Sequence, residues 1–350
     1  MRRIAPLRPL LAAAVAAAVA VAVPEAVVAQ SGRGTAAVAP SARAAFVAPA
    51  WAFPVTLPTP PDPYPSADST HRHQVPGSAL RFTQQQAYDR HAPVDWFPAS
   101  HPAPPSIVMH GRRPDIWACG FCHLPDGAGR PENAMLAGLP EAYIVAQVRA
   151  FRDGTRLSAN PAVNTTSMHR LAKLYTDDEV AQAAAYFARL VPARRNRIVE
   201  SDSLPRHRIA GLLYARDGSG RVANRGQLIE MPEDLGRHEL HDPSVPYVTY
   251  VPRGSIARGR RLATEGPTGV ATACVTCHGP DLLGVGVIPP IAGRSPQYLL
   301  RQLISIRTGA RADAGALPMQ AVVAGLSLDD MVAVAAYVGS LAPARGRATP

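Results

Sequence analysis

The residues most able to do chemistry in this 350-residue chain are its four cysteines and the histidines beside them. Cys119-Gly120-Phe121-Cys122-His123 recurs as Cys274-Val275-Thr276-Cys277-His278, and the two copies use every cysteine present. C-x-x-C-H is the attachment spacing of a c-type haem. Thiols three positions apart lie on neighbouring faces of one helical turn, so each can form a thioether with a haem vinyl group. The adjacent imidazole then reaches the iron from the proximal side. A redox dithiol or half of a zinc site shares part of this spacing. Two copies that exhaust the cysteines point instead to two covalently attached haem c groups, on Cys119 and Cys122 and on Cys274 and Cys277, with His123 and His278 on the irons.

The sixth ligand decides what such centres do. A thioether opposite the imidazole fills both axial positions and suits electron transfer, whereas an open position suits chemistry on a small molecule. After the second motif the only methionines are Met319 and Met331. Met331 shares an apolar stripe with Val334 and Val338 and reads as core. Met319 follows Pro318 in what reads as a loop before the last helix, where its sulfur could approach the distal face. Met168 takes the matching place in the first half, ahead of the hydroxyl residue Thr176. Its rivals are His169, which reads as a solvated residue, and Met135, which reads as a gap-filler.

Those side chains need elements to hold them, and the chain supplies the same set twice. At the offset of the cysteines, 155 residues, Pro125-Asp126 matches Pro280-Asp281, Gly129 matches Gly284, and Leu136-Ala137-Gly138 matches Ile291-Ala292-Gly293. Tyr143, Gln147 and Gly154 fall on Tyr298, Gln302 and Gly309. The register then resumes at 151, pairing Met168 with Met319, Thr176 with Ser327, Asp178 with Asp329, Tyr186 with Tyr337 and Leu190 with Leu341. Apolar residues at i, i+3 and i+4 predict helices over Pro140–Arg152 and Pro296–Arg307, stopped by Gly154 and Gly309. Thr176 and Ser327, each followed by acids, read as N-caps of helices ending near Leu190 and Leu341. A further helix over Ile256–Thr264 leads into the second motif. No segment alternates with period 2, so the expected class is all-α. Units of this size have marginal cores, and a buried haem would supply the missing apolar mass.

These residues resemble the halves of dihaem c-type cytochromes of the cytochrome c4 type. In that family C-x-x-C-H-G-P-D, L-A-G-x-P/S-x-Y-L-x-x-Q and a Met before L-S-x-x-D-I-A-x-x-A-A-Y recur in both domains. The resemblance covers residues 115–191 and 254–342. It implies two class I cytochrome c domains in tandem, covalent haem c, His123 and His278 as proximal ligands, Met168 and Met319 as distal ligands, and electron transfer in the periplasm. Two departures stand out. Leu124 replaces the glycine after the first motif, a mild change, and the connection between the halves is far longer than the family's linker.

The expected organisation is a signal peptide over 1–29, a Pro-rich extension over 30–110, cytochrome domains over 111–191 and 254–342, an irregular connection over 192–253 and a tail over 343–350. Arg2, Arg3 and Arg8 precede an apolar run from Leu10 to Val23 that is too short to span a bilayer, followed by small residues to Ala29, which is the pattern of a cleaved secretory signal. The extension, with many of the 36 prolines, is expected to be disordered to about Ser69 and to touch the first haem unit after it. Gly211 to Glu230 could form a hairpin around Asp217-Gly218-Ser219-Gly220. Lys and Arg number 36 against 26 Asp and Glu, a net charge of +10. The excess sits in the connection, so a solvated linker or a dock for an acidic redox partner explains it better than nucleic acid does. His71, His73, His91, His101, His110, His207, His238 and His241 show no metal spacing and read as surface residues.

The function expected from the sequence is a periplasmic dihaem cytochrome that moves single electrons and is not itself an enzyme. Its partners would be a donor dehydrogenase or quinol-oxidising complex and a terminal acceptor, with peripheral membrane contact allowed. The alternatives are a dihaem enzyme, such as a cytochrome c peroxidase or a thiosulfate-oxidising cytochrome, and the cytochrome subunit of a quinoprotein dehydrogenase.

Overall fold

The computed structural model describes residues 46–56, 67–162, 166–267 and 272–343. The expected signal segment over 1–29, the proline cluster at 57–66 and the tail from 344 lie outside the described residues. After a single 3-10 turn at Ala50–Ala52, the extension carries a two-stranded ribbon, β1 (Arg72–His73) and β2 (Phe82–Thr83), and two short helices, α1 (Gln84–Ala87) and α2 (Ser106–Met109). The first half continues with α3 (Cys119–His123), α4 (Glu141–Arg152), α5 (Thr166–Leu174) and α6 (Asp177–Ala188). Then come β3 (Asn196–Glu200), β4 (Ser203–Ala210), β5 (Leu213–Ala223), β6 (Ile229–Pro232), α7 (Leu235–Glu239) and β7 (Tyr247–Val251). The second half is α8 (Ser255–Glu265), α9 (Cys274–His278), α10 (Pro296–Arg307), α11 (Leu317–Ala324) and α12 (Leu328–Ser340).

The expected all-α class holds for the two halves and fails between them. Residues 192–253 are not irregular. β7 lies between β3, which it pairs in parallel, and β6, which it pairs antiparallel. All five residues of β7 are buried, so both faces are covered and no polar alternation marks the strand in sequence. The expected hairpin exists but turns elsewhere. β4 and β5 pair antiparallel around Gly211-Leu212, with Gly211 at φ 61°, and the Asp217–Gly220 stretch lies inside β5.

The helices follow local rules. Thr176 and Ser327 each accept from the backbone of the third helical residue, while Glu179 and Asp330 reach back to them, closing two capping boxes. Gly154 and Gly309 end α4 and α10 at φ 73° and 76°. α8 crosses α12 at Gly259, where a Cβ would come 1.9 Å from the Ala333 carbonyl oxygen, so only glycine permits that approach.

The extension departs from expectation before Ser69, while after it the expected contact with the first haem unit is present, with Ala118 N donating to Arg90 O at 2.8 Å. Ala52 and Phe53 are buried with Leu300 and Ile304 of the second half, and Gln297 Nε2 donates to the Ala52 carbonyl at 2.7 Å. Residues after Ser69 form a separate apolar cluster of Val75, Ala87, Val94 and Trp96 with Leu240 of the connection, and Trp96 Nε1 donates to the Leu240 carbonyl at 2.8 Å. Burying such large apolar side chains contributes about 1.5–3 kcal/mol each, which keeps a Pro-rich strap in place.

The two halves meet directly, about a reciprocal set of contacts. Leu157 N donates to Ala310 O and Ala312 N to Thr155 O, both at 2.8 Å, around the pair Arg156 and Arg311. Arg156 donates to Gln147 and, across the contact, to Tyr298; Arg311 donates to Gln302 and, across the contact, to Tyr143.

Candidate haem-binding sites

Each C-x-x-C-H motif is a single helical turn, α3 or α9, entered from an extended alanine, Ala118 or Ala273. The two turns are held alike. His123 Nδ1 lies 2.8 Å from the Ala134 carbonyl oxygen, and His278 Nδ1 lies 2.9 Å from that of Pro289, the equivalent residue. A ring N–H donated to a carbonyl fixes the tautomer and leaves Nε2 with a free lone pair, the form a metal ligand needs. Burial pushes the His123 imidazole down to about 4 and also lowers that of His278, so both stay neutral. Gly129 N and Gly284 N then close the turns onto the carbonyls of His123 and His278.

In the first half the motif opens into an apolar pocket of about 540 Å³ that includes open solvent at its mouth. Cys119, Cys122 and His123 line it together with Ile144, Val148, Leu171, Val180 and Phe187, and Met168 of α5 lines it too. Glu179 is its one acid, and Arg112 and Thr176 already engage that carboxylate. The donor set and the lining fit a haem: two thiols and an imidazole share a space with a thioether, and the walls are hydrocarbon. Burial raises the Cys119 thiol to about 12, the reverse of the depressed pKa of a redox dithiol. Among the described residues no group of three or more His, Cys, Asp or Glu could hold a metal ion.

In the second half, Cys274 packs against a cluster containing Leu262, Leu282, Val334 and Val338. Met319 packs against a neighbouring cluster of Leu300, Ile304 and Val323, and Leu299 and Leu303 belong to both. Met168 and Met319 are not in loops as expected. Each is the third residue of a helix, α5 or α11; α11 carries almost no amphipathic contrast, whereas α5 is strongly amphipathic. Met331 is fully buried core. Met135 packs in the first core, and its carbonyl accepts from Arg294.

Four histidine expectations need correction. The His101 side chain is 4% exposed, with Nε2 3.3 Å from Asp95 and Nδ1 3.0 Å from the Tyr186 hydroxyl. His169 is half-buried, with Nδ1 2.8 Å from the Phe151 carbonyl. His238 and His241 are 4% and 1% exposed, beneath the connection. His241 sits at φ 57°, and its ring lies 5.2 Å from that of Phe121 inside the first motif. His238 Nε2 is 3.4 Å from Glu132, which also pairs with Arg130 at 3.1 Å. Burial alone would raise the Glu132 carboxyl, but those two neighbours hold it well below the ordinary range.

Leu124 is the other surprise. It sits at φ 63°, ψ 151°, and its counterpart Gly279 at φ 83°, ψ 161°. That region is essentially reserved for glycine, so the departure noted in the sequence is not mild but costs about 1–3 kcal/mol locally. Its side chain is 1% exposed, and burial offsets the strain. The residues that sequence reasoning missed are Arg156 and Arg311. They stand at the same offset of 155 as the cysteines, so the repeat itself carried the signal.

The family model described as "Cytochrome c" matches residues 257–342. Cytochrome c4 of Azotobacter vinelandii is 27% identical over 64% of this chain and 84% of its own length. Cytochrome c-552 of Acidithiobacillus ferridurans is 32% identical over 64% of this chain and 73% of its own. The thiosulfate dehydrogenase electron acceptor of Thiomonas intermedia is 28% identical over 57% of this chain and 66% of its own.

Proposed function

The chain belongs to the cytochrome c4 family of c-type cytochromes, and from that footing we propose that it carries single electrons from a dehydrogenase or quinol-oxidising complex to a terminal acceptor in the periplasm. Its cofactor is covalently bound haem c with iron, and two haems fit this dihaem family. Bound haem supplies the one-electron chemistry. The chain's own residues supply attachment, axial ligands and a dry enclosure. In this reading, Cys119, Cys122, His123 and Met168 hold one group, and Cys274, Cys277, His278 and Met319 the other.

One observation carries the proposal: Met168 and His123 line the same apolar cavity. A thioether there would fill the position that a substrate would otherwise need, and the hydrocarbon wall would disfavour the extra charge of the oxidised state. The Ala134 and Pro289 carbonyls hold the imidazoles in one tautomer, so little reorganisation accompanies a change of charge. Relatives named as electron acceptors of thiosulfate dehydrogenase support a dehydrogenase as donor. No single helix among the described residues is long and apolar enough to cross a membrane.

Absorption and paramagnetic resonance spectra of the oxidised holoprotein test this reading. Two low-spin centres are expected, each with the long-wavelength sulfur-to-iron band, and Met168→Ala should remove that band from one centre only. A high-spin centre in the native protein, or rapid consumption of peroxide or thiosulfate by it, would overturn the proposal.

A further inference from the structure

The two haem motifs sit in opposite surroundings. In the first, Phe121 is 4% exposed and Cys122 half-buried; in the second, the equivalent Thr276 and Cys277 are exposed. The loops that follow are built alike, with single antiparallel bridges Arg130–Asn133 and Val285–Ile288 at equivalent positions. The first loop is buried and charged: Arg130 and Glu132 pair, and Arg195 donates to the carbonyls of Ala128 and Gly129 at 2.5 and 2.6 Å. The second is open and apolar, with Leu283, Val285 and Val287 at 40%, 57% and 66% exposure. From Thr276 to Pro290 the only carboxylate is Asp281, and there is no Lys or Arg.

We infer that the Leu283–Val287 loop, beside the exposed Cys277, is the docking port of this protein for a soluble redox protein with an uncharged, apolar face around its own cofactor. The inference rests on the electron-carrier reading and adds to it which half the partner visits. Three facts single out that occupant. Cys277 would bear a thioether, so its exposure marks where an edge of the cofactor comes nearest to a visitor. The chain's own connection already covers the matching surface of the first half. Finally, the loop offers no charge for an acidic or basic partner to match, and small transient redox interfaces form on a few apolar side chains. Docking of this kind depends little on salt, because screening acts on charge pairs that are absent here.

The test is stopped-flow electron exchange between the full dihaem chain and azurin, a blue-copper protein with an apolar face. Val285→Glu/Val287→Glu should slow exchange about tenfold or more by placing unpaired charge in the contact, while Val222→Glu, on the distant hairpin, should not. Reduction by hexaammineruthenium, which needs no dock, should be unchanged in all three proteins and reports that they are folded and loaded. Equal azurin rates for the native chain and the double variant would overturn the inference. So would equal slowing by Val222→Glu, or binding to phosphatidylcholine vesicles that the double variant abolishes, which would make the loop a membrane contact. Failure of hexaammineruthenium to reduce the native protein would instead sink the electron-carrier reading itself.

Discussion

The first half of this protein is enclosed and the second is open, although both descend from one repeated pattern. What the halves share lies close to the cofactor: the C-x-x-C-H turn, the carbonyl behind each imidazole, the capped last helix and the methionine at the third position of a helix. What they do not share lies one layer out. Residues 67–110 and 192–253 roof the first motif, whereas the loop after the second bears exposed valines. A duplicated unit thus keeps the geometry its chemistry needs and varies the surface that meets other molecules.

The largest effects should come from breaking what encloses the first half and joins it to the second. Trp96→Ala removes a 2%-exposed ring and the hydrogen bond to Leu240, and is expected to cost about 3–5 kcal/mol, read as a lower denaturation midpoint with earlier proteolysis in the extension. At the reciprocal contact the two arginines should not be equivalent. Arg311 pairs with Asp313 at 3.2 Å, while the position matching Asp313 in the first half is the neutral Ser158. Arg311→Ala leaves a buried carboxylate short of its counter-ion and should cost about 3–5 kcal/mol. Arg156→Ala breaks hydrogen bonds to neutral partners only, and Asp313 keeps its ion pair with Arg311, so it should cost about 1–3 kcal/mol. Equal urea midpoints for the two variants would mean the contact is symmetric in energy as well as in shape.

That asymmetry also shows what the sequence could reveal. The haem motifs, the helices over 141–152 and 296–307 and the hydroxyl caps were legible because each rests on local spacing. β7 was not, since a strand covered on both faces looks like any other apolar run. α11 hid because its residues show almost no amphipathic contrast, whereas α5 is amphipathic and its period was there to be read. The burial of His238 and His241 was illegible for a different reason: it depends on a segment distant in sequence folding back over Phe121, and no local rule encodes that. The weight of Leu124 escaped because a single letter does not give a backbone angle.

A pH measurement separates the two halves at their boundary. Glu230 of β6 is 1% exposed and accepts from Ser295 Oγ and Gln297 N at the start of α10. Burial raises its carboxyl to about 7 from an ordinary 4.5, partly offset by those donors and by Arg301 and Arg195. The folded chain therefore binds more protons than the unfolded chain between those two values. The stability associated with protonated Glu230 is full below 4.5 and is lost as the pH rises through 7, by an amount on the order of 3 kcal/mol. Glu230→Gln cannot ionise and should flatten the fall in melting temperature between pH 5 and pH 8. An unchanged slope would assign the pH dependence to other groups.

The finest comparison concerns the residue after each motif, where the halves differ by a single side chain. Leu124 holds a glycine-type conformation for the sake of its buried side chain, while Gly279 holds the same conformation without strain. Leu124→Ala keeps the strained angle and loses the packing, so it should be the least stable variant, by about 2–5 kcal/mol relative to the native chain. Leu124→Gly loses the same packing but releases about 1–3 kcal/mol of strain. Glycine should therefore be more stable than alanine here, the reverse of the usual order, in which glycine costs about 0.5–1 kcal/mol more through the entropy of the unfolded chain. Gly279→Ala should lose about 1–3 kcal/mol by importing the strain into the second half. Urea titration of the four proteins reads the series directly. If Leu124→Gly proved less stable than Leu124→Ala, the positive φ would cost the first half nothing, and the two turns would differ only in what packs against them.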